Sequence, residues 1–98
     1  GLNTVGSSLH WGGDASQTTN VPGATTGFHV YSMDWRADHI AFYYDSTLLY
    51  SQPNNSSLPF NQNFFFIFNV AVGGNLGGNT INLGSGSTMY VDYVRVYN

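Results

Sequence analysis

Three features of this sequence predict an all-β protein folded as an antiparallel β-sandwich. β-Branched and aromatic residues recur at alternate positions between clusters of Gly, Asn, Ser and Pro, the signature of strands with one wet face. No segment carries the spacing of an amphipathic helix. About six strand segments can be traced, and sheets of this kind hide their apolar faces by packing on one another. A chain of 98 residues makes one domain at most, burying roughly 60–65% of its unfolded surface.

Thr4 to Trp11 reads as the first strand, and Gly12 to Gly27, rich in Gly, Thr and Asn with Pro22, reads as a loop. In Gly27 to Trp35 pleating places Phe28, Val30, Ser32 and Asp34 on one face and His29, Tyr31, Met33 and Trp35 on the other. Ala37-Asp38 makes a short turn. His39 to Tyr44 and Thr47 to Tyr50 flank Asp45-Ser46, two turn formers between apolar runs, which predicts a tight hairpin. Ser51 to Pro59 is a polar loop. Asn63 to Val72 is nearly continuous in apolar residues and suits a central strand covered on both faces. Gly73 to Ser87 holds six of the 12 glycines and reads as a loop, and Thr88 to Tyr97 as the last strand.

Composition narrows the function. Charged residues are 7% of the chain, against about 25% in an ordinary soluble domain. Lysine is absent, and the two cations are Arg36 and Arg95. Nucleic acid is therefore a poor partner, since phosphate binding needs clustered cations. The hydrophobic 42% is spread in short pieces, and no stretch approaches the ~18–20 apolar residues of a membrane-spanning helix, which excludes insertion by that route. Cysteine is absent, which is compatible with secretion because a sandwich with enough core needs no disulfide staple. A charge-poor chain rich in Asn, Ser, Thr, Gly and Tyr has the character of extracellular sugar-handling proteins. Gly1 is not an initiator methionine and no leader pattern precedes it, so the chain is expected to be a fragment or processed product.

The five acids are aspartates, Asp14, Asp34, Asp38, Asp45 and Asp92, and there is no glutamate. Asp34 and Asp38 are close in sequence but straddle Trp35 and a turn, and solvated turn carboxylates are the better reading. Asn54-Asn55-Ser56 and Asn55-Ser56-Ser57 are overlapping N-glycosylation acceptors on a surface loop.

Several segments, in order, carry a resemblance. They are Asn3-Thr4-Val5 with Leu9-His10-Trp11-Gly12; Phe28 to Trp35; Ile40-Ala41-Phe42-Tyr43-Tyr44-Asp45; Pro59-Phe60-Asn61-Gln62; Ala71-Val72-Gly73-Gly74-Asn75; and Tyr90-Val91-Asp92-Tyr93-Val94-Arg95-Val96-Tyr97. Together they resemble the closing part of glycoside hydrolase family 16, in particular its laminarinase-like endo-β-1,3-glucanases. The resemblance covers essentially the whole chain, residues 1–98 forming the C-terminal part of one domain. It implies a concanavalin A-like jelly roll, a secreted protein and a β-glucan substrate. It also implies that the catalytic Glu-x-Asp-x-x-Glu, or its form one residue shorter, belongs to a strand ahead of Gly1, in the missing N-terminal half. A retaining glycosidase needs a nucleophilic carboxylate and a proton-donating acid about 5–5.5 Å apart, and the resemblance assigns no catalytic residue to this chain.

The resemblance further implies a sugar-facing wall. His10 and Trp11 would neighbour the catalytic strand, an imidazole donating to hydroxyls and an indole stacking on a pyranose. Pleating sends the two to opposite faces, so one lines the cleft and the other packs. Asn69 interrupts an apolar run, its amide either paired in the core or offered to ligand. Gly73, Gly74 and Asn75 correspond to a loop bordering the cleft, or form a plain glycine turn; Leu76 stands where family members often place tryptophan. Asp92 corresponds to a position that binds a structural calcium, or is an ordinary strand carboxylate. No cofactor is needed for the chemistry. Two other readings stay open: a module that holds β-glucan without cleaving it, and a half-sandwich completed by another chain.

Overall fold

A computed structural model describes residues 3–71, 86 and 88–97. The chain divides into two units, Gly1–Asn63 and Phe64–Asn98. The first holds five strands: β1 (Thr4–His10), β2 (Asp14–Asn20), β3 (Tyr31–Trp35), β4 (His39–Tyr44) and β5 (Thr47–Pro53), followed by a single 3₁₀ turn at Pro59–Asn61. β1 and β2 form a two-stranded sheet and β3-β4-β5 a three-stranded one, every pairing antiparallel. The all-β, antiparallel class is as expected. No helix among the described residues is long and apolar enough to cross a membrane.

β1 ends one residue earlier than expected, at His10, and Trp11-Gly12-Gly13 turns the chain into β2. Gly13 sits so close to Trp11 that a Cβ there would meet the indole at 3.1 Å. β2 corrects the reading of residues 12–27 as a loop. Its sequence, Asp-Ala-Ser-Gln-Thr-Thr-Asn, lacks apolar alternation, so the register with β1, from Thr4↔Asn20 to His10↔Asp14, rather than a buried face, makes it a strand.

The β4–β5 hairpin forms where expected, with Asp45 at φ 52, a conformation that Asp and Asn tolerate better than most side chains. β5 runs on to Pro53, past the expected Tyr50. A register shift opposite Phe42/Tyr43 leaves Leu49 without a partner on β4. This bulge turns Leu49 into the core. Leu49, Val21 and Tyr44 are all buried, and Val5, Ala24, Phe42 and Tyr50 pack on them, joining the two sheets. Gln17 Nε2 and Thr19 Oγ1 donate to the Leu49 carbonyl at 3.3 and 3.4 Å, so β2 reaches the bulged residue with side chains.

β3 is shorter than expected, but its pleat is as read: His29 and Tyr31 both meet the Tyr44 ring, at centroid distances of 4.7 and 5.5 Å, while Asp34 turns to Arg36 and His39.

In the second unit the expected central strand and last strand are corrected. Residues 63–71 and 88–97 carry no strand, and Phe65 and Ile67 are 84% and 75% exposed; Val72 lies outside the described residues. A run that is apolar on both pleat faces becomes a strand only when a ladder flanks it and other elements cover it, and neither is found among the described residues of this unit. Phe66 and Phe68 stack at 6.2 Å and the Arg95 guanidinium lies 4.6 Å over the Tyr93 ring.

Candidate functional site

Each histidine of the chain meets an aspartate at the end of a hairpin. His10, the last residue of β1, bonds through Nδ1 to Asp14, the first of β2, and both side chains are largely exposed. At the β3–β4 turn, His39 lies between two carboxylates, Nδ1 2.8 Å from Asp38 Oδ1 and Nε2 3.3 Å from Asp34 Oδ2, while Arg36 Nε donates to both Asp34 oxygens at 2.9 and 3.0 Å. At the β4–β5 turn, His29 Nδ1 lies 3.2 Å from Asp45 Oδ2, and the Val30 amide donates to Asp45 Oδ1 at 3.0 Å.

These surroundings set the acidities. The Arg36 hydrogen bond holds Asp34 below its ordinary value; burial opposes it, and the weaker hydrogen bond from His39 adds to the lowering. The Val30 amide and then His29 do the same for Asp45. A glycosidase acid has to be pushed up, so that it carries a proton at working pH. Asp34 and Asp45 are pushed down, and neither is built to donate a proton to a leaving group. Asp38 is a turn carboxylate as expected, whereas Asp34 lies within β3; both are tied to His39 rather than forming a catalytic pair.

Trp11 belongs to the β1–β2 turn rather than to the strand, so alternation does not decide its facing. Its ring meets Phe60 edge-on at 5.3 Å, and Phe60, in the 3₁₀ turn, is buried. His10 and Trp11 thus stand side by side at one end of the β1–β2 sheet, the imidazole in solvent and the indole half-buried. Asn69 and Asp92, in the other unit, are exposed. Gly73, Gly74 and Asn75 lie outside the described residues. Among the described residues no three His, Asp or Glu side chains converge to hold a metal. Asp92 brings one carboxylate where calcium takes 6–8 oxygens, so these residues do not by themselves form a calcium site.

A cavity of about 240 Å³ lies between the end of β2 and the β4–β5 turn, lined by Thr19, Asn20, Val21, Pro22, Tyr44, Thr47 and Leu49. It is smaller than the roughly 300–1,000 Å³ of ordinary ligand pockets, and no carboxylate lines it. The Tyr44 hydroxyl is buried without a hydrogen-bond partner among the described residues, and burial, then the charge of Asp45, pushes its pKa up.

Asn54 went unnoticed in the sequence except as a glycosylation acceptor. It is only 5% exposed. Its amide donates to the Arg36 carbonyl at 2.9 Å and to Asn61 Oδ1 at 3.3 Å, and its own backbone amide donates to Asp38 O at 2.9 Å. It therefore pins the β3–β4 turn to the 3₁₀ turn, and its carboxamide is not a surface acceptor. Asn55 is exposed and takes two bonds from Ser57. The sequence offered no signal for this role, because the strand was read to end at Tyr50 and Asn54 fell in a polar loop.

The described strands form antiparallel sheets, and comparison with known proteins supplies the class. Residues 2–95 match the glycosyl hydrolases family 16, and the chain belongs to that family, whose fold is a jelly roll. Glucan endo-1,3-beta-glucosidase A1 of Niallia circulans is 44% identical over 82 residues, which cover 71% of this chain and 12% of that protein. Beta-glucanase of Rhodothermus marinus is 39% identical over 88 residues, 79% of this chain and 31% of that protein. Endo-1,3-1,4-beta-glycanase EglC of Rhizobium meliloti is 32% identical over 99 residues, 97% of this chain and 21% of that protein. The chain thus spans less than a third of the length of each of these relatives. No solved structure matches it.

Proposed function

We propose that this chain is the C-terminal part of the catalytic domain of a secreted, laminarinase-like endo-β-1,3-glucanase, and that it supplies cleft wall while other polypeptide supplies the catalytic glutamates. The observation that carries the reading is family membership over residues 2–95 in a chain without glutamate. A retaining mechanism needs one carboxylate to attack the anomeric carbon and one acid to protonate the leaving oxygen. In this chain Asp14, Asp34, Asp38 and Asp45 are each engaged by a histidine. The 44% identity to a glucan endo-1,3-beta-glucosidase favours a β-1,3-linked glucan as substrate, and the charge-poor composition favours secretion.

His10 and Trp11 are then the substrate-facing residues of this unit, an exposed imidazole donor beside a half-buried indole. Asn69, Gly73, Gly74 and Asn75 are assigned to the same wall on the resemblance alone. Asp92 would give a structural calcium one of its oxygens, the others coming from carbonyls, water and polypeptide beyond the described residues.

The test is made on the protein as encoded. The segment preceding Gly1 is expected to carry Glu-x-Asp-x-x-Glu or its shorter form, and replacing either glutamate by Gln should abolish hydrolysis of β-1,3-glucan while leaving binding intact. In the same protein His10→Ala is expected to weaken gluco-oligosaccharide binding about fivefold, the loss of one hydrogen bond of ~1 kcal/mol. A leader without those acids, or a His10→Ala variant that binds like the parent, refutes the assignment. Added calcium should raise the melting temperature, and Asp92→Asn should remove that rise; a melting temperature indifferent to calcium and chelator rules the ion out.

A further inference from the structure

His29 is surrounded by hydrogen-bond acceptors. One ring nitrogen faces the Asp45 carboxylate at 3.2 Å; the other faces the Gly23 carbonyl at 2.9 Å and the Thr26 carbonyl at 2.6 Å. A neutral imidazole has one N–H and one bare lone pair. In that form, one of these contacts would set a lone pair against a carbonyl or carboxylate oxygen. Only the imidazolium donates on both sides. The ring also lies over Tyr44 at 4.7 Å and 33°, an arrangement that favours a cation.

The acceptors come from two separate parts of the first unit. Gly23 and Thr26 belong to the connection between β2 and β3, Gly23 at φ 85. Asp45 is the first residue of the β4–β5 turn, its carboxylate steadied by the Val30 amide at 3.0 Å. His29 therefore fastens the connection to the turn. Val21 and Pro22, at the start of the connection, form one side of the 240 Å³ cavity, and Tyr44 and Thr47, on either side of the turn, form another.

We propose that His29 is a proton-operated clasp: doubly protonated, it holds residues 22–28 down on the β4–β5 turn, and as pH rises it lets that connection and the adjoining cavity rim open. This inference is independent of the glucanase assignment. Burial lowers the affinity of the ring for its proton, but the bonds to Asp45, Thr26 and Gly23 and the charge of Asp45 outweigh it, and the pKa is raised above 6.5. The ionisable groups facing the ring are Asp45 from the turn and Tyr44 from β4, with Tyr31 of β3 behind Tyr44. Because the folded pKa is raised, the clasp is fully closed below the unfolded value and lost as pH climbs through the folded one.

The experiment is ¹⁵N-histidine NMR together with amide exchange at residues 24–30 in the protein, corrected for intrinsic rates, at pH values on either side of the ordinary imidazole value of about 6.5. His29 is expected to titrate above that value with both ring nitrogens protonated below it. Protection of residues 24–30 should fall about tenfold for each unit by which its pKa is raised. Asp45→Asn should lower the His29 pKa, and His29→Gln should make exchange in residues 24–30 independent of pH. A His29 that titrates at or below the ordinary value overturns the clasp. So does corrected exchange in residues 24–30 that falls and rises alike in parent and His29→Gln. Should either variant fail to fold, the titration of His29 in the parent decides alone.

Discussion

At the residue scale, the first unit sets most of its few charges at or beside hairpin turns. Because the pKa of Asp45 is lowered and that of His29 raised, they act on opposite limbs of the pH profile. The Asp45 contribution is present above the unfolded carboxylate value and lost as pH falls through the lower folded one; the His29 contribution is present below the unfolded imidazole value and lost as pH rises through the higher folded one. Stability should therefore peak between about pH 4 and pH 6.5, as read from urea midpoints. Asp45→Asn is expected to weaken both limbs, since it removes the carboxylate that titrates in acid and the partner that raises His29. A profile flat across both limbs would contradict the pairing. Asn54 makes an uncharged prediction: Asn54→Ala leaves the Arg36 carbonyl without its donor inside the fold and should cost about 1–3 kcal/mol. An unchanged unfolding midpoint would mean that the amide is replaceable by water.

At the element scale, the β3–β4 and β4–β5 hairpins were legible, and the β1–β2 hairpin and what packs around all three were not. Asp45-Ser46 between two apolar runs announced the β4–β5 hairpin, and alternation in residues 28–35 placed His29 and Tyr31 on one face, which the structure lays against Tyr44. β2 could not be read because Asp14–Asn20 hides almost no apolar surface; backbone pairing with β1 defines it, and pairing leaves no trace in composition. The bulge at Leu49 was equally invisible, since Leu48 and Leu49 are chemically alike and only one of them turns inward. Leu49→Ala should cost about 2–5 kcal/mol by leaving a core void, whereas Leu48→Ala, at an exposed position, should stay within about 0.5 kcal/mol. Comparable losses at the two positions would show that the bulge is misplaced. For the 3₁₀ turn, a double-mutant cycle between Trp11 and Phe60 is expected to return a coupling of about 0.5–1.5 kcal/mol; zero coupling would free Trp11 to serve substrate alone.

At the scale of the whole molecule, family membership was legible in segments such as Tyr90 to Tyr97 even though those residues form no strand in the structure. The reason is physical: strand character in Asn63 to Val72 and Thr88 to Tyr97 depends on neighbours, and the apolar side chains of Phe64 to Val70 stand in solvent among the described residues. The candidate site was legible only as far as the resemblance reached. His10 and Trp11 are brought together at one end of the β1–β2 sheet, whereas Asn69 and Asp92 are exposed in the other unit and Gly73, Gly74 and Asn75 lie outside the described residues. The most direct test of the central claim is the release of reducing ends from laminarin by the 98-residue polypeptide at confirmed intact mass. No turnover above the buffer rate is predicted, because four of its five aspartates are engaged by histidines and it has no glutamate; sustained hydrolysis by this chain alone would contradict the account.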